Sequence, residues 1–430
     1  MEWKKYYESH ICTADEAVDA IEDNYNLVYG HAVGAPQVFN KALAAHKDRF
    51  TNVSIYHLLT SGTPWHMSPE MKGHLQPISS FVCKVSHKAY DAGLVEFLPS
   101  YFRQVPSLFT DGLYPVDVAV VQLSPPDEEG YCSFGVSCDY TKPATESAKI
   151  VIAEINEQMP CIDGDNFIHV TDLDYIIETS YPLSERPFDE ATEVEIEIAK
   201  LCASLINDGD TLQLGIGALP NAVLSLLKDR KDLGIHTELF TEGIIDLVNE
   251  GVITGKSKTL HPNKIIATFV MGTKRVYDFL DNNPIIEMHS VDYVNDPYVI
   301  GQNDNMVSIN SCIEVDLMGQ VNSESIGTRQ YSGTGGQVDY VQGSRLSKGG
   351  KSIIAIPSTA LRGSKSRIVP FLTQGATVTT SRNDVDYIIT EYGIAHLRGK
   401  TLRERAKLLI ELAHPKYKEE LIEEFGKRFK

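Results

Sequence analysis

Asp210-Thr-Leu-Gln-Leu-Gly-Ile-Gly-Ala-Leu-Pro220 is a short apolar strand that runs into a glycine turn and a proline. Such a run, followed by helix-forming residues, is the strand–turn–helix unit of a parallel α/β sheet. The turn leaves backbone N–H groups at a helix start, where an anion can be held. Further on, Leu233-Gly-Ile-His-Thr-Glu-Leu-Phe240 reads as the next strand, with Glu238 near its end. Neighbouring parallel strands would place that carboxylate beside the turn. The two read as one site, an acid next to an anion cradle.

The same unit stands earlier in the chain as Asn26-Leu-Val-Tyr-Gly-His-Ala-Val-Gly-Ala-Pro36. A strand, Val53-Ser-Ile-Tyr-His57, follows it and leads to Thr60-Ser-Gly62. In the later copy the matching end is Thr241-Glu-Gly243. Anchoring on these two ends sets His57 opposite Glu238, so the carboxylate belongs to the second copy alone. A duplicated scaffold places its cleft between the copies. His31 and His57, with Gln213 on the strand before the second turn, are then candidate substrate contacts, a structural role being the alternative for each histidine. Val118-Ala-Val-Val-Gln-Leu123 and Lys149-Ile-Val-Ile-Ala-Glu154 add further buried strands. The stretch Tyr181-Pro-Leu-Ser-Glu-Arg-Pro-Phe-Asp189, rich in proline and charge, marks the boundary between domains 1–185 and 186–430.

A chain of 430 residues exceeds one ordinary core, in keeping with two domains. Its 42% hydrophobic and 23% charged content is that of a globular protein. No apolar run reaches the roughly 18 residues that cross a bilayer, and the N-terminus lacks a signal-peptide core. The seven cysteines are scattered without a C-x-x-C pair, which points to reduced thiols in a cytoplasm and to no zinc site. The net charge of −19 argues against nonspecific nucleic-acid or membrane binding. An anionic ligand must therefore be held by local N–H groups and a few basic side chains.

Three chemistries compete for Glu238. A dinucleotide fingerprint has the same outline, but its third turn glycine is Pro220 here, which removes close helix–strand packing. Covalent carboxylate catalysis would use Glu238 as nucleophile toward an activated acyl carbon. The N–H groups of Gly217 and Ala218 are then the candidate oxyanion donors. A plain cap for the helix beginning near Gly243 fits the local sequence equally well. Ser332-Gly-Thr-Gly-Gly-Gln-Val-Asp-Tyr340 adds a second glycine cluster that lets backbone approach a ligand. Arg362-Gly-Ser-Lys-Ser-Arg367 is a basic loop, either a phosphate anchor or a solvated turn.

Taken together, these motifs resemble the acetyl-CoA hydrolase/transferase family. Thr13-Ala-Asp-Glu-Ala17, Ser124-Pro-Pro-Asp127, Gly164-Asp-Asn-Phe-Ile-His-Val170, Thr379-Thr-Ser-Arg-Asn-Asp384 and Thr390-Glu-Tyr-Gly-Ile-Ala395 carry the likeness across the chain. It is nearest to the 4-hydroxybutyrate CoA-transferases. The resemblance implies two tandem open-sheet α/β domains of the CoA-transferase (NagB/RpiA-like) type with the active site at their interface. It implies a ping-pong transfer of CoA between acyl-CoA and short-chain carboxylates such as 4-hydroxybutyrate, butyrate or acetate. Coenzyme A is then both substrate and covalent intermediate on Glu238, with no metal. Gly215, Ile216, Gly217, Ala218 and Leu219 match the CoA-contacting turn. Ile313, Gly335, Gly336 and Gln337 match further contacts, and Lys365 and Arg367 the phosphate anchor. A homodimer or larger homo-oligomer is expected. An acyl-CoA hydrolase and a non-catalytic CoA-binding protein are the alternatives.

Overall fold

The computed structural model describes residues 2–187, 190–215 and 217–429. The chain divides into two compact units, Met1–Pro187 with Ile266–Val294, and Phe188–Ile265 with Asn295–Lys430. A single cut at 185/186 therefore does not describe it. Val270 N donates to Val136 O at 2.9 Å and Met288 N to Asp163 O at 2.8 Å. These bonds tie the 266–294 segment into the first unit.

The first unit holds a seven-stranded sheet, in the order Glu96–Phe97, Leu75–Ser79, Val53–His57, Asn26–Tyr29, Val118–Leu123, Ile150–Asn156, Tyr175–Thr179. Every pairing in it is parallel. Parallel strands covered on both faces must be apolar almost throughout. Val118–Leu123 meets that demand, with all of its residues buried. Thr13 begins the helix Ala14–Val18 with a reciprocal capping box to Glu16.

The second unit holds a six-stranded sheet, Gly234–Ile235, Thr211–Leu214, Met306–Asn310, Lys351–Ala355, Tyr387–Thr390, Gly393–His396. Its last pairing is antiparallel and the others parallel. Its core is packed by Val315, Ile354, Ile356, Ile388 and Leu409, all buried. Among the described residues no helix is long and apolar enough to cross a membrane.

The two sheets repeat one strand order. In each, the strand that enters a glycine turn lies between the strand after the next helix and a third strand further along the chain. The ladders also fix the correspondence. Leu27 pairs with Ile55, and Leu212 pairs with Ile235. With Gly30 matched to Gly215, Leu58 stands at the place of Glu238, and His57 at that of Thr237. The alignment on the Thr-x-Gly ends is thus off by one residue. Since strand side chains alternate between faces, that slip changes which face His57 occupies.

Candidate functional site

Glu238 does not lie on a continuous strand. Gly234–Ile235 and Leu239–Phe240 are separate short strands, and Glu238 occupies a bend between them. Thr237 stands in the break. Its hydroxyl donates to Leu214 O at 3.4 Å and is 3.2 Å from Leu239 O. His236 N donates to Leu212 O at 3.1 Å. The chain just before Glu238 is thereby tied to the strand that runs into Gly215.

The half-buried Glu238 carboxylate accepts a hydrogen bond at its Oε2 from Asn295 Nδ2, at 2.7 Å. Asn295 is fully buried, and its Nδ2 lies 3.5 Å from Asp339 Oδ2. On the other side stands Gly336. A Cβ there would come within 1.9 Å of Glu238 Oε2 and 2.5 Å of Asn295 Nδ2. The φ of Gly336 is −93°, which any residue adopts. Glycine is required there by space, not by backbone conformation. The helix beyond the next cap, Glu242–Asn249, has Thr241 at its N-cap position.

The glycine cluster at 332–340 is a helix start and not simply a loop. Gly335 takes a left-handed φ of +54°, Gly336 is the N-cap, and Gln337–Leu346 is helical. Gln337 points inward, its Nε2 donating to Ser323 Oγ at 2.8 Å and Thr380 Oγ1 at 3.0 Å. That side chain ties the helix start to its surroundings.

Gly215 follows the strand Thr211–Leu214, and Gly217 stands at the N-cap of the next helix. That helix is Ala218–Ser225, with Pro220 as its third residue. That position is tolerated because N–H groups of a first turn have no intrahelical partner. Gly215 N is spent on Ile309 O at 3.2 Å. Gly217 has φ 120° and ψ −176°, a region open essentially to glycine alone. No side chain caps this helix start from Gly217. Leu219 is buried, and Ile216 lies outside the described residues.

The equivalent helix start in the first unit is filled from within. Helix Gln37–Ala45 follows Pro36, and Glu154 accepts from Phe39 N at 2.7 Å and Gln37 N at 3.2 Å. Tyr181 Oη donates to the same carboxylate at 2.5 Å. Burial pushes Glu154 up to about 7, against the opposing pull of these hydrogen bonds. Through the ladders Leu27–Val118–Ile150 and Leu212–Val307–Lys351, Glu154 corresponds to Ala355. The second unit has a methyl group where the first keeps a buried carboxyl group.

The remaining sequence-derived residues divide by what they touch. Gln213 is buried, and its side-chain amide pairs with that of Asn310 at 3.1 Å. Ile313 N donates to Asn322 O at 2.7 Å. Lys365 is exposed on the hairpin Thr359–Ala360 with Lys365–Ser366, while Arg367 is half-buried with Nη1 on Cys312 O at 3.3 Å. His31 is wholly buried, Nδ1 at 3.0 Å from Asp139 Oδ2 and ringed by Phe102, Tyr140 and Phe269. His57 is buried with neither ring nitrogen hydrogen-bonded, and burial, then nearby His31, holds it down to about 4. The structure thus brings together Glu238 and Gly336, and adds Asn295, which no spacing or motif in the sequence announced. Its only signal is contact through the fold.

The acetyl-CoA hydrolase/transferase N-terminal domain matches residues 1–182, and the C-terminal domain of the same name matches residues 272–425. A 4-hydroxybutyrate coenzyme A transferase of Clostridium kluyveri is 56% identical over 429 residues, spanning 100% of both chains. A succinyl-CoA:cyclohexane-1-carboxylate CoA transferase of Geobacter metallireducens is 45% identical over 98% of this chain and 96% of its own. The crystal structure of a 4-hydroxybutyrate CoA-transferase from Porphyromonas gingivalis superposes with a TM-score of 0.87 at 48% identity, covering 99% of this chain and 100% of that one.

Proposed function

The chain belongs to the acetyl-CoA hydrolase/transferase family, and from that premise we propose that it is a CoA-transferase working through Glu238. It moves CoA between an acyl-CoA and a short-chain carboxylate, 4-hydroxybutyrate, butyrate or acetate. The observation that supports this most is the setting of Glu238, a carboxylate gripped by Asn295 Nδ2 and lodged against the bare Cα of Gly336.

One Glu238 oxygen attacks the thioester carbon. The C–S bond breaks, its electron pair leaves as CoA thiolate, and a mixed anhydride remains. The thiolate then attacks the glutamyl carbonyl, the bond to the acyl oxygen breaks, and the first carboxylate departs. Glu238 now carries CoA as a thioester, and the second acid reverses these steps. Splitting one difficult exchange into two lowers each barrier. Asn295 is the fixed donor for the glutamyl oxygen, and the N–H groups of the 217–219 helix start hold negative charge. Ala355 leaves that start without the internal carboxylate that closes its counterpart in the first unit. Lys365, exposed on the hairpin strand Lys365–Ser366, is the side chain of the basic loop that would meet a ligand phosphate.

Incubation with acetyl-CoA followed by borohydride should convert Glu238 to the alcohol, and Glu238→Gln should abolish both that product and transfer. A peptide map with Glu238 untouched in a turning-over enzyme would sink the covalent scheme. Release of free CoA at the same rate with and without added acid would favour a hydrolase.

A further inference from the structure

We propose that Asp339 is a positioning residue for the glutamyl chemistry, holding the Asn295 amide so that Nδ2 faces Glu238 throughout the cycle. This rests on the reading of Glu238 as the CoA carrier.

A primary amide carries two donors on one nitrogen and acceptors only on its oxygen. Asn295 Nδ2 lies 2.7 Å from Glu238 Oε2 and 3.5 Å from Asp339 Oδ2, so each N–H is directed at a carboxylate. Asn295 Oδ1 is buried without a donor. The orientation of the amide is thus decided on its nitrogen side. A reversed amide would set its oxygen against the two carboxyl oxygens that Nδ2 now serves, in a site where Asn295 and Asp339 are both fully buried. Such contacts are costly where water is excluded.

Glu238 alone could hold the amide in the resting enzyme. It cannot do so equally during turnover. As an anhydride or thioester the glutamyl group carries no charge, and a neutral acceptor binds an N–H about half as strongly as an ionised one. Asp339 exchanges no bond and keeps its place as an acceptor for Asn295 Nδ2. It is the third residue of the helix Gln337–Leu346, in the first turn, where the helix dipole favours negative charge. One helix start therefore supplies both the glycine that admits Glu238 and the carboxylate behind Asn295. The donor stays aimed when the glutamate oxygen must recover its charge.

The test compares Asp339→Asn with the swap Asn295→Asp/Asp339→Asn, reading kcat, the acetyl-CoA KM, the Glu238–CoA adduct by mass spectrometry, and thermal melting. D339N should lower kcat about 10–100-fold, the scale of a small misplacement of reacting groups. Its acetyl-CoA KM should stay near the wild-type value. The swap restores one amide and one carboxylate in the same volume, but aims the carboxylate at Glu238, so it should remain inactive while folded. Full turnover in D339N, or recovery in the swap as mere packing would predict, overturns the proposal. If D339N folds poorly, the swap decides, because it rebuilds the buried pair. A wild-type chain that forms no Glu238 adduct overturns the transferase reading and this inference with it. An adduct in the wild type with unchanged D339N turnover overturns this inference alone.

Discussion

Replacing Gly336 with alanine should remove activity and leave the fold. The added Cβ falls 1.9 Å from Glu238 Oε2, 2.5 Å from Asn295 Nδ2 and 3.0 Å from Glu238 Cδ. Ordinary contact between such atoms begins near 3.4 Å, so the carboxylate must retreat by about 1.5 Å. Both atoms met first are far ends of side chains, which can swing aside without moving backbone. The φ of −93° suits alanine, so no conformational strain is added. Alanine is a poorer N-cap than glycine, a loss of about 1 kcal/mol or less. The catalytic consequence is larger. Displacing a reacting group by about 1 Å costs on the order of 100-fold, or roughly 2.7 kcal/mol of transition-state stabilisation. The assay is transfer of CoA from acetyl-CoA to 4-hydroxybutyrate, followed by chromatography, beside a thermal melt. A variant that melts like the wild type and keeps transfer within about threefold (a barrier change under 1 kcal/mol) would refute the argument that Glu238 must lie against a bare Cα.

Other outcomes follow from the same geometry. Gly217→Ala meets no atom within 4 Å, so its penalty is conformational alone, at φ 120°. That strain is about 1–3 kcal/mol, and relief by reshaping the turn should raise the KM for acetyl-CoA more than it lowers kcat; an unchanged KM would contradict the placing of CoA at this turn. Glu154→Gln tests the filled helix start of the first unit through pH. With its carboxyl raised to about 7, Glu154 contributes stability that is full below about 4.5 and lost as pH rises toward 7. His57, held down to about 4, and His66, held well below its usual range by burial, act in the opposite sense and lose stability as pH falls below about 6.5. Glu154 and His57 are each worth on the order of 3 kcal/mol at their limits, so E154Q should make stability climb more steeply from pH 5 to about 7 in urea unfolding. Parallel wild-type and E154Q curves would show that Glu154 is not held protonated.

The α/β class and the strands at 53–57 and 118–123 were legible in the sequence, which also singles out Glu238 as the candidate carboxylate. Each rests on local pattern: apolar runs, a glycine turn, a carboxylate on the following segment. The likeness of motifs along the whole chain then supplied the chemistry. What lay beyond reach depended on which segments become neighbours. Asn295 carries no motif and is joined to Glu238 only by folding. Gly336 reads in sequence as part of a pliable loop, yet it is an N-cap whose missing Cβ makes room for a carboxylate. Glu154 reads as the end of a buried strand, and only the ladders show that it caps one helix start while Ala355 holds the corresponding place in the second unit. The match of His57 to Glu238 failed by one residue because sequence anchors count positions along the chain, whereas a sheet counts hydrogen-bonded pairs across it. Periodicity and spacing determine what each segment becomes. Register and packing, which join residues far apart in the chain, decide which side chains meet, and the setting of Glu238 between Asn295 and Gly336 is made by those meetings.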